Sequence, residues 1–145
     1  MILFPSKVFI ARLQRGSVIR FSHPRFPGKP HYFVVLNNNP SKDGFLLFVT
    51  STTNTDRIRR MIDRQKHLAG GYVFVKTGEY QCFDKDSYIN CHKAYPFEIG
   101  KLGNIYERGL IELKDSLPPR LTDKVLEGCL ASPMFKPKYR KFLSS

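Results

Sequence analysis

The apolar residues of this chain come in short runs, and most of these runs are bounded by glycine, proline, asparagine or serine. Short apolar runs between turn residues are typical of β-strands rather than helices. None of them approaches the roughly 20 apolar residues that a membrane-spanning helix requires. We therefore predict a water-soluble, β-rich fold with strands over residues 17–22, 31–36, 45–51, 72–75 and 87–91.

The connections between the first three strands are rich in turn-forming residues. Pro24, Pro27, Gly28 and Pro30 crowd the first connection, which predicts an irregular loop. The second connection, residues 37–44, begins with three asparagines and ends in glycine. It is expected to join the second and third strands into a hairpin-like pair at the centre of the sheet.

Two segments have helical rather than strand spacing. Residues 57–66 predict a short basic helix, and residues 121–130 predict a closing helix with Thr122 or Asp123 as its N-cap. With five or six short strands, this predicts a mainly β (α+β) fold, a small, partly open β-barrel with a helical excursion and a C-terminal helix. We expect one domain over residues 1–145, in which residues 132–145 form a basic C-terminal tail.

The chain carries 24 Lys and Arg residues against 12 Asp and Glu, a formal net charge of +12. No acidic residue precedes Asp43, and none lies within residues 132–145. Two basic ends of this kind attract polyanions, so we predict nucleic acid as a partner. A solvated basic surface is the alternative, whereas the basic stretches are not the long amphipathic helices that bind membranes. The aromatic residues that lie among the cations, where bases can stack, are Phe21, Phe26, Tyr32 and Tyr139.

Several other classes of protein are excluded. An odd number of cysteines at irregular spacing, Cys82, Cys91 and Cys129, predicts reduced thiols in the cytoplasm. Pro5 and Lys7 interrupt the apolar N-terminus, so no signal peptide is expected. The sequence lacks a Walker loop, a dinucleotide-binding fingerprint, a serine-hydrolase elbow and zinc-ligand spacing. We predict neither a metal nor a cofactor.

Four segments occur in the order found in the MazF/PemK/Kid-like toxins: residues 16–21, the loop that ends in Lys29-Pro30, the strand at 33–36, and residues 49–54, which close the next strand. The chain resembles this family over residues 14–131. The resemblance implies an SH3-like barrel that acts as a metal-independent endoribonuclease on single-stranded RNA. It also implies a homodimer that is held inactive by an acidic antitoxin protein, and no membrane partner.

RNA cleavage through the ribose 2′-hydroxyl needs a base, an acid and a cation or hydrogen-bond donor for the charge at phosphorus. The family's catalytic arginine falls on Lys29 if the Arg-Pro dipeptide is aligned, and on His31 if the Val-Val-Leu register is kept. We predict His31 as acid or base, Lys29 as a point charge and Arg25 as a substitute phosphate clamp. The family's strand-end hydroxyl falls on Thr52 or Thr53.

Further candidates come from two other segments. His92 and Lys93 lie near the positions at which Kid-like proteins carry catalytic residues, and His92 can supply a second acid or base. The arginines of the basic helix either line the RNA path or solvate a surface helix, and His23 is a lesser candidate. The predicted catalytic residues are therefore His31, Arg25, Thr52, Thr53 and His92, and the predicted RNA-binding residues are Lys29, Ser51, Arg57, Arg60 and Lys93.

Two alternatives remain at this level. A protein of this fold without the family arginine can bind RNA and not cut it. A CcdB-like toxin would instead bind a protein target, as its relatives do with gyrase, through the C-terminal helix and tail. A nuclease loses cleavage but keeps binding when His31 or Arg25 is replaced, a binding module shows only salt-dependent affinity, and a protein poison does not bind RNA at physiological salt.

Overall fold

The computed structural model describes residues 5–26 and 28–144, so Pro27 of the predicted loop and the first four residues of the chain lie outside the described residues. The strands are β1 (Val18–Phe21), β2 (His31–Val35), β3 (Phe45–Thr52), β4 (Tyr72–Val75), β5 (Ser87–Glu98) and β6 (Glu112–Lys114). The helices are α1 (Ser6–Arg12), α2 (Pro40–Asp43), α3 (Thr55–Arg64), α4 (Ile99–Glu107) and α5 (Pro119–Ala131), with 3-10 helices at Lys66–Gly71 and Pro137–Phe142. No described helix is long and apolar enough to cross a membrane.

The predicted α+β class is confirmed. Within the described residues one antiparallel sheet has the order β4-β5-β3-β2-β1-β6, and the predicted central hairpin is the pair β2–β3. The sheet stays open, because β4 and β6 are its edges and do not pair with each other. A closed barrel is therefore not formed.

Alternate residues of the central strands point to opposite faces of the sheet, and both faces are covered. On one face, Val34 and Val49 pack in a single cluster with Val125 of α5. On the other, Phe33 and Phe48 pack in a cluster that contains residues of α1 and α4. Burial on both sides explains why residues 33–35 of β2 and 45–49 of β3 are continuously apolar rather than alternating.

Helices α1 and α4 were not predicted from the sequence. Gly103 of α4 faces α1, where an added β-carbon would lie 3.4 Å from Ile10 Cδ1. Gly103 therefore lies where α4 packs against α1. The predicted cap of α5 is also wrong: the helix begins at Pro119, whose missing N–H needs no partner in the first turn, and Thr122 instead bonds back to the Leu117 and Pro118 carbonyls.

Strand β5 extends beyond its predicted end at residue 91 and contains a large bulge. Thr50 of β3 pairs with Asn90, but Phe48 pairs with Tyr95, so that residues 91–94 lie opposite Val49 alone. A bulge bends its strand and re-aims side chains. Here the side chain of His92 is buried and that of Lys93 is exposed.

Buried Asn37 fixes the connection between β2 and β3. Its amide nitrogen donates to Asp43 Oδ2 at 3.0 Å and to the Phe45 carbonyl at 2.8 Å, and its Oδ1 accepts from the Leu47 N–H at 3.0 Å. The register of the hairpin is thereby set at its closed end. The open end carries His31 and Thr52.

Candidate nucleic-acid interface

A cavity of about 390 Å³, here called the His31 cavity, opens where β2 begins and β3 ends. Six of the predicted site residues lie in its wall: Lys29, His31, Ser51, Thr52, Thr53 and Arg57. The wall is completed by Phe26, Pro30, Tyr32, Thr50, Phe83, Asp84 and Ser87. The structure thus brings together residues that are far apart in the chain.

Two local features position the predicted residues. Phe33 and Thr50 are the last pair of the β2–β3 ladder, and continuing this antiparallel register brings His31 to the level of Thr52. Beyond β3, Asn54 reverses the chain: its N–H donates to Thr52 Oγ1 at 3.1 Å, and its side chain caps α3 by accepting from the Arg57 N–H at 3.2 Å. Arg57 therefore returns to the cavity from the first turn of α3.

The His31 cavity contains two groups that can exchange a proton, the His31 imidazole and the Asp84 carboxylate. The His31 ring is half-buried and lies 5.7 Å from the Phe26 ring, centroid to centroid. Lys29 and Arg57 bring positive charge to the same wall. RNA cleavage through the 2′-hydroxyl requires an acid, a base and a cation or hydrogen-bond donor, and groups of each kind line this wall.

Asp84 is not among the site residues predicted from the sequence. Its position depends on Phe83, whose ring packs against Tyr32 at 5.2 Å and Tyr80 at 4.9 Å and anchors the β4–β5 connection beside β2. This tertiary contact has no local sequence pattern. Thr50 and Ser87 are further wall residues that sequence reasoning missed.

A separate cavity of about 380 Å³ opens beside Tyr95 and is called the Tyr95 cavity. It contains the predicted residues Arg25 and Lys93 and an edge of His92, so these three are separated from the His31 cavity. Its remaining wall residues are His23, Ala94, Tyr95, Pro96, Met134, Lys136 and Tyr139. Arg60 is exposed on α3 and lines neither cavity.

His92 has a structural environment. The residue is 4% exposed, its Nδ1 lies 2.5 Å from Ser132 Oγ, and its Nε2 lies 2.7 Å from the Leu68 carbonyl oxygen. The Leu68 carbonyl can only accept, so the His92 Nε2–H donates to it, and in this neutral tautomer Nδ1 accepts from the Ser132 hydroxyl. Ser132 Oγ also accepts from the Met134 N–H. Both ring nitrogens are engaged inside the protein, and we leave His92 out of the proposed catalytic set.

The four aromatic residues predicted for base stacking lie in different parts of the fold. Tyr32 lines the His31 cavity, Tyr139 lines the Tyr95 cavity, and the Phe26 ring lies between them. Phe21 is 1% exposed within the sheet core, so the prediction that it offers a stacking surface is wrong. Strand alternation turns its side chain toward α1 and α4 rather than outward.

His23, in the connection between β1 and β2, is buried among phenylalanine rings. Burial is the main cause that lowers the pKa of His23 below its ordinary value, and the charge of Arg25 lowers it further. Its Nδ1 accepts the Arg25 N–H at 3.0 Å, so the neutral ring holds the loop that carries Arg25. The rings around it, with centroids 5.3 to 6.0 Å away, are those of Phe21, Phe26, Phe33, Phe48 and Phe97.

The lowered pKa of His23 makes stability depend on pH. Below the unfolded-state pKa of about 6.5 the unfolded chain binds a proton that the folded chain does not. We therefore expect the free energy of unfolding to decrease as pH falls below about 6.5 toward the folded-state pKa. Urea unfolding at a series of pH values measures this slope. His23→Asn, which keeps an acceptor for Arg25, should show a smaller slope, and His67→Asn at an exposed position serves as the control. If the free energy of unfolding depends on pH equally in His23→Asn and the wild-type chain, His23 is not the group responsible for this dependence.

Among residues 5–26 and 28–144, no group of three or more His, Cys, Asp or Glu side chains is placed to hold a metal ion. All three cysteines are unpaired. Cys91 and Cys129 are both buried in the core, where the neighbouring Cys129 thiol and desolvation raise the pKa of Cys91.

The fold is shared with a solved endoribonuclease. A solved structure described as an endoribonuclease in complex with its cognate antitoxin, from a mycobacterial species, superposes with a TM-score of 0.54 at 15% identity, covering 83% of this chain and 93% of that chain. No family model matches the sequence, and no curated protein matches it. The resemblance to the MazF/PemK/Kid-like toxins is confirmed at the level of the fold.

Proposed function

We propose that this chain is a metal-independent endoribonuclease of toxin–antitoxin type that cleaves single-stranded RNA by attack of a ribose 2′-hydroxyl. The observation that carries the proposal is the His31 cavity, in which an imidazole, a carboxylate, two cations and a row of hydroxyls face one space. The cavity lies on a fold shared with an endoribonuclease. Sequence, geometry and fold thus support the same chemistry.

The proposed reaction needs no nucleophile from the protein. The Asp84 carboxylate removes the 2′-hydroxyl proton, the 2′-oxygen forms a bond to phosphorus, and the bond from phosphorus to the 5′-oxygen breaks. The His31 imidazolium gives its proton to the leaving 5′-oxygen. The products are a 2′,3′-cyclic phosphate and a free 5′-hydroxyl, and the step leaves Asp84 protonated and His31 neutral.

The remaining wall residues bind the phosphate and bases. Lys29 and Arg57 stabilise the negative charge that grows on the non-bridging oxygens, and the Ser51, Thr52 and Thr53 hydroxyls donate hydrogen bonds to them. The ring of Tyr32 offers a stacking surface for a base. The chain's net charge of +12 adds long-range attraction for RNA.

We extend the proposal to a protein partner. An acidic antitoxin segment would neutralise Lys29 and Arg57 and occupy the space that RNA needs. The structural neighbour is itself bound to its cognate antitoxin. A homodimer and a cytoplasmic location follow from the family resemblance and belong to the same proposal.

A non-catalytic RNA-binding module is the second candidate. The family's catalytic arginine falls on Lys29 or on His31, depending on the alignment, so the chain lacks an arginine there in either case. Lysine lacks the bidentate fork that arginine presents to phosphate. Loss of this group removes transition-state stabilisation while leaving the positive surface intact.

Incubation of the purified protein with end-labelled single-stranded RNA in EDTA separates the candidates. We expect discrete cuts that end in cyclic phosphates, and a 2′-deoxy substitution at a mapped cut should block cleavage there. Intact RNA with salt-dependent binding would establish the RNA-binding module instead. Absence of both cleavage and binding at physiological salt would favour a CcdB-like protein target.

A further inference from the structure

We infer that the Tyr95 cavity binds the base and phosphate of a nucleotide beyond the cleaved bond, an inference that rests on the proposed function. The cavity measures about 380 Å³, within the range of roughly 300–1,000 Å³ that ligand sites occupy. None of the groups assigned to the cleavage reaction lies in it. The proposed cleavage reaction therefore assigns no role to its groups.

The Tyr95 cavity is positively charged, and no described carboxylate in its wall neutralises this charge. Arg25, Lys93 and Lys136 line it, and no acidic side chain occurs among the described residues of its wall. None of these three cations forms an ion pair with a described carboxylate. Unpaired cations around one space are suited to bind a phosphate group.

Aromatic rings accompany these cations. The Arg25 guanidinium carbon lies 5.9 Å from the centre of the Tyr95 ring, and Lys93 Nζ lies 5.4 Å from the same centre. Tyr139 contributes a second ring to the wall. Rings beside cations form the stacking platforms on which proteins hold single-stranded bases. An acidic peptide would need only the cations, so the rings favour a nucleotide.

Phe26 connects this cavity with the proposed cleavage site. Its ring centroid lies 5.7 Å from that of His31 in one cavity and 5.1 Å from that of Tyr95 in the other. A strand held at His31 can therefore cross Phe26 and reach the Tyr95 cavity within a short length of backbone. The Phe26 ring thus lies between the two sites.

The C-terminal segment, residues 132–144, builds one wall of the cavity. Lys136 and Tyr139 belong to it, and it is anchored in the core by Phe135, 2% exposed, and Leu143, 5% exposed. The Arg15 guanidinium also donates to the Phe142 carbonyl at 2.9 Å. The segment thus presents its cations from a fixed position, which is what a binding subsite needs.

Binding of non-cleavable 2′-deoxy oligonucleotides of increasing length, followed by fluorescence anisotropy, tests the inference. The variants are Lys136→Gln, which removes a cation, and Tyr139→Leu, which removes a ring but keeps an apolar contact. Lys141→Gln is the matched control, because Lys141 is exposed on the same segment and does not line the cavity.

For long strands we expect Tyr139→Leu to weaken affinity about 5- to 150-fold. Lys136→Gln should make the negative slope of log affinity against log salt less steep by about 0.7. A dinucleotide that fills only the His31 cavity should bind all variants alike. The same loss for short and long strands, or an equal loss with Lys141→Gln, would overturn the inference.

Two further outcomes separate this inference from the proposed cleavage. Length-dependent binding without any cleavage of the equivalent RNA would leave the subsite in place and refute the nuclease. The other outcome is that an oligoglutamate peptide binds the wild-type chain but not Lys136→Gln, while Tyr139→Leu leaves RNA binding unchanged. This result would assign the cavity to an acidic protein segment and overturn the inference.

Discussion

We expect the His31→Gln variant to cleave RNA about 10²- to 10⁴-fold more slowly than the wild-type chain, which is the usual contribution of a general acid or base. Glutamine fills a similar volume beside Phe26 and can still form hydrogen bonds, but its amide does not exchange a proton near neutral pH. The dissociation constant for a 2′-deoxy analogue should therefore remain essentially unchanged. Single-turnover cleavage and anisotropy binding, measured on the same preparation, check the two halves of this expectation.

The control for this variant is His67→Gln. His67 is exposed in the 3-10 helix Lys66–Gly71 and lines neither cavity, so its replacement should affect neither cleavage nor binding. A combined His31→Gln and Asp84→Asn variant should lose much less than the product of the single losses, because residues that act as a unit are not additive. Unchanged cleavage in His31→Gln would remove His31 from the mechanism.

The part of the site that could be predicted from the sequence is the part built by local structure. The asparagine-rich turn before β3 sets the hairpin register, and that register brings Lys29 and His31 to the level of Thr52 and Thr53. Helical spacing after Thr55 then places Arg57 on the adjoining first turn. Each of these steps depends on residues close together in the chain.

The parts that sequence reasoning missed depend on long-range packing. The bulge at residues 91–94 turns His92 into the core, and no pattern of apolar residues marks where a strand will bulge. Asp84 reaches the His31 cavity only because Phe83 packs on Tyr32. Both faces of the sheet needed cover, which explains α1 and α4, but which segments supply that cover is decided by the assembled core.

The structural role of His92 predicts a large effect at a neighbouring glycine. A β-carbon at Gly71 would overlap with the His92 ring, whose nitrogens bond to Ser132 and Leu68. Gly71→Ala must displace the ring, which combines overpacking with the loss of buried hydrogen bonds. We expect a loss of at least about 2 kcal/mol in the free energy of unfolding, measured by urea denaturation.

Two comparisons show whether the ring is the cause. Gly70→Ala should be nearly neutral, because its β-carbon would meet only the Ala131 β-carbon, at an ordinary 3.7 Å. In a His92→Ala background the ring is gone, so Gly71→Ala should cost much less, with a coupling energy of about 0.5–3 kcal/mol. Since His92 joins the β5 bulge to the start of the C-terminal segment, its displacement should also loosen the wall of the Tyr95 cavity. An equal cost for Gly71→Ala in both backgrounds would mean that the His92 ring does not limit the space at this position.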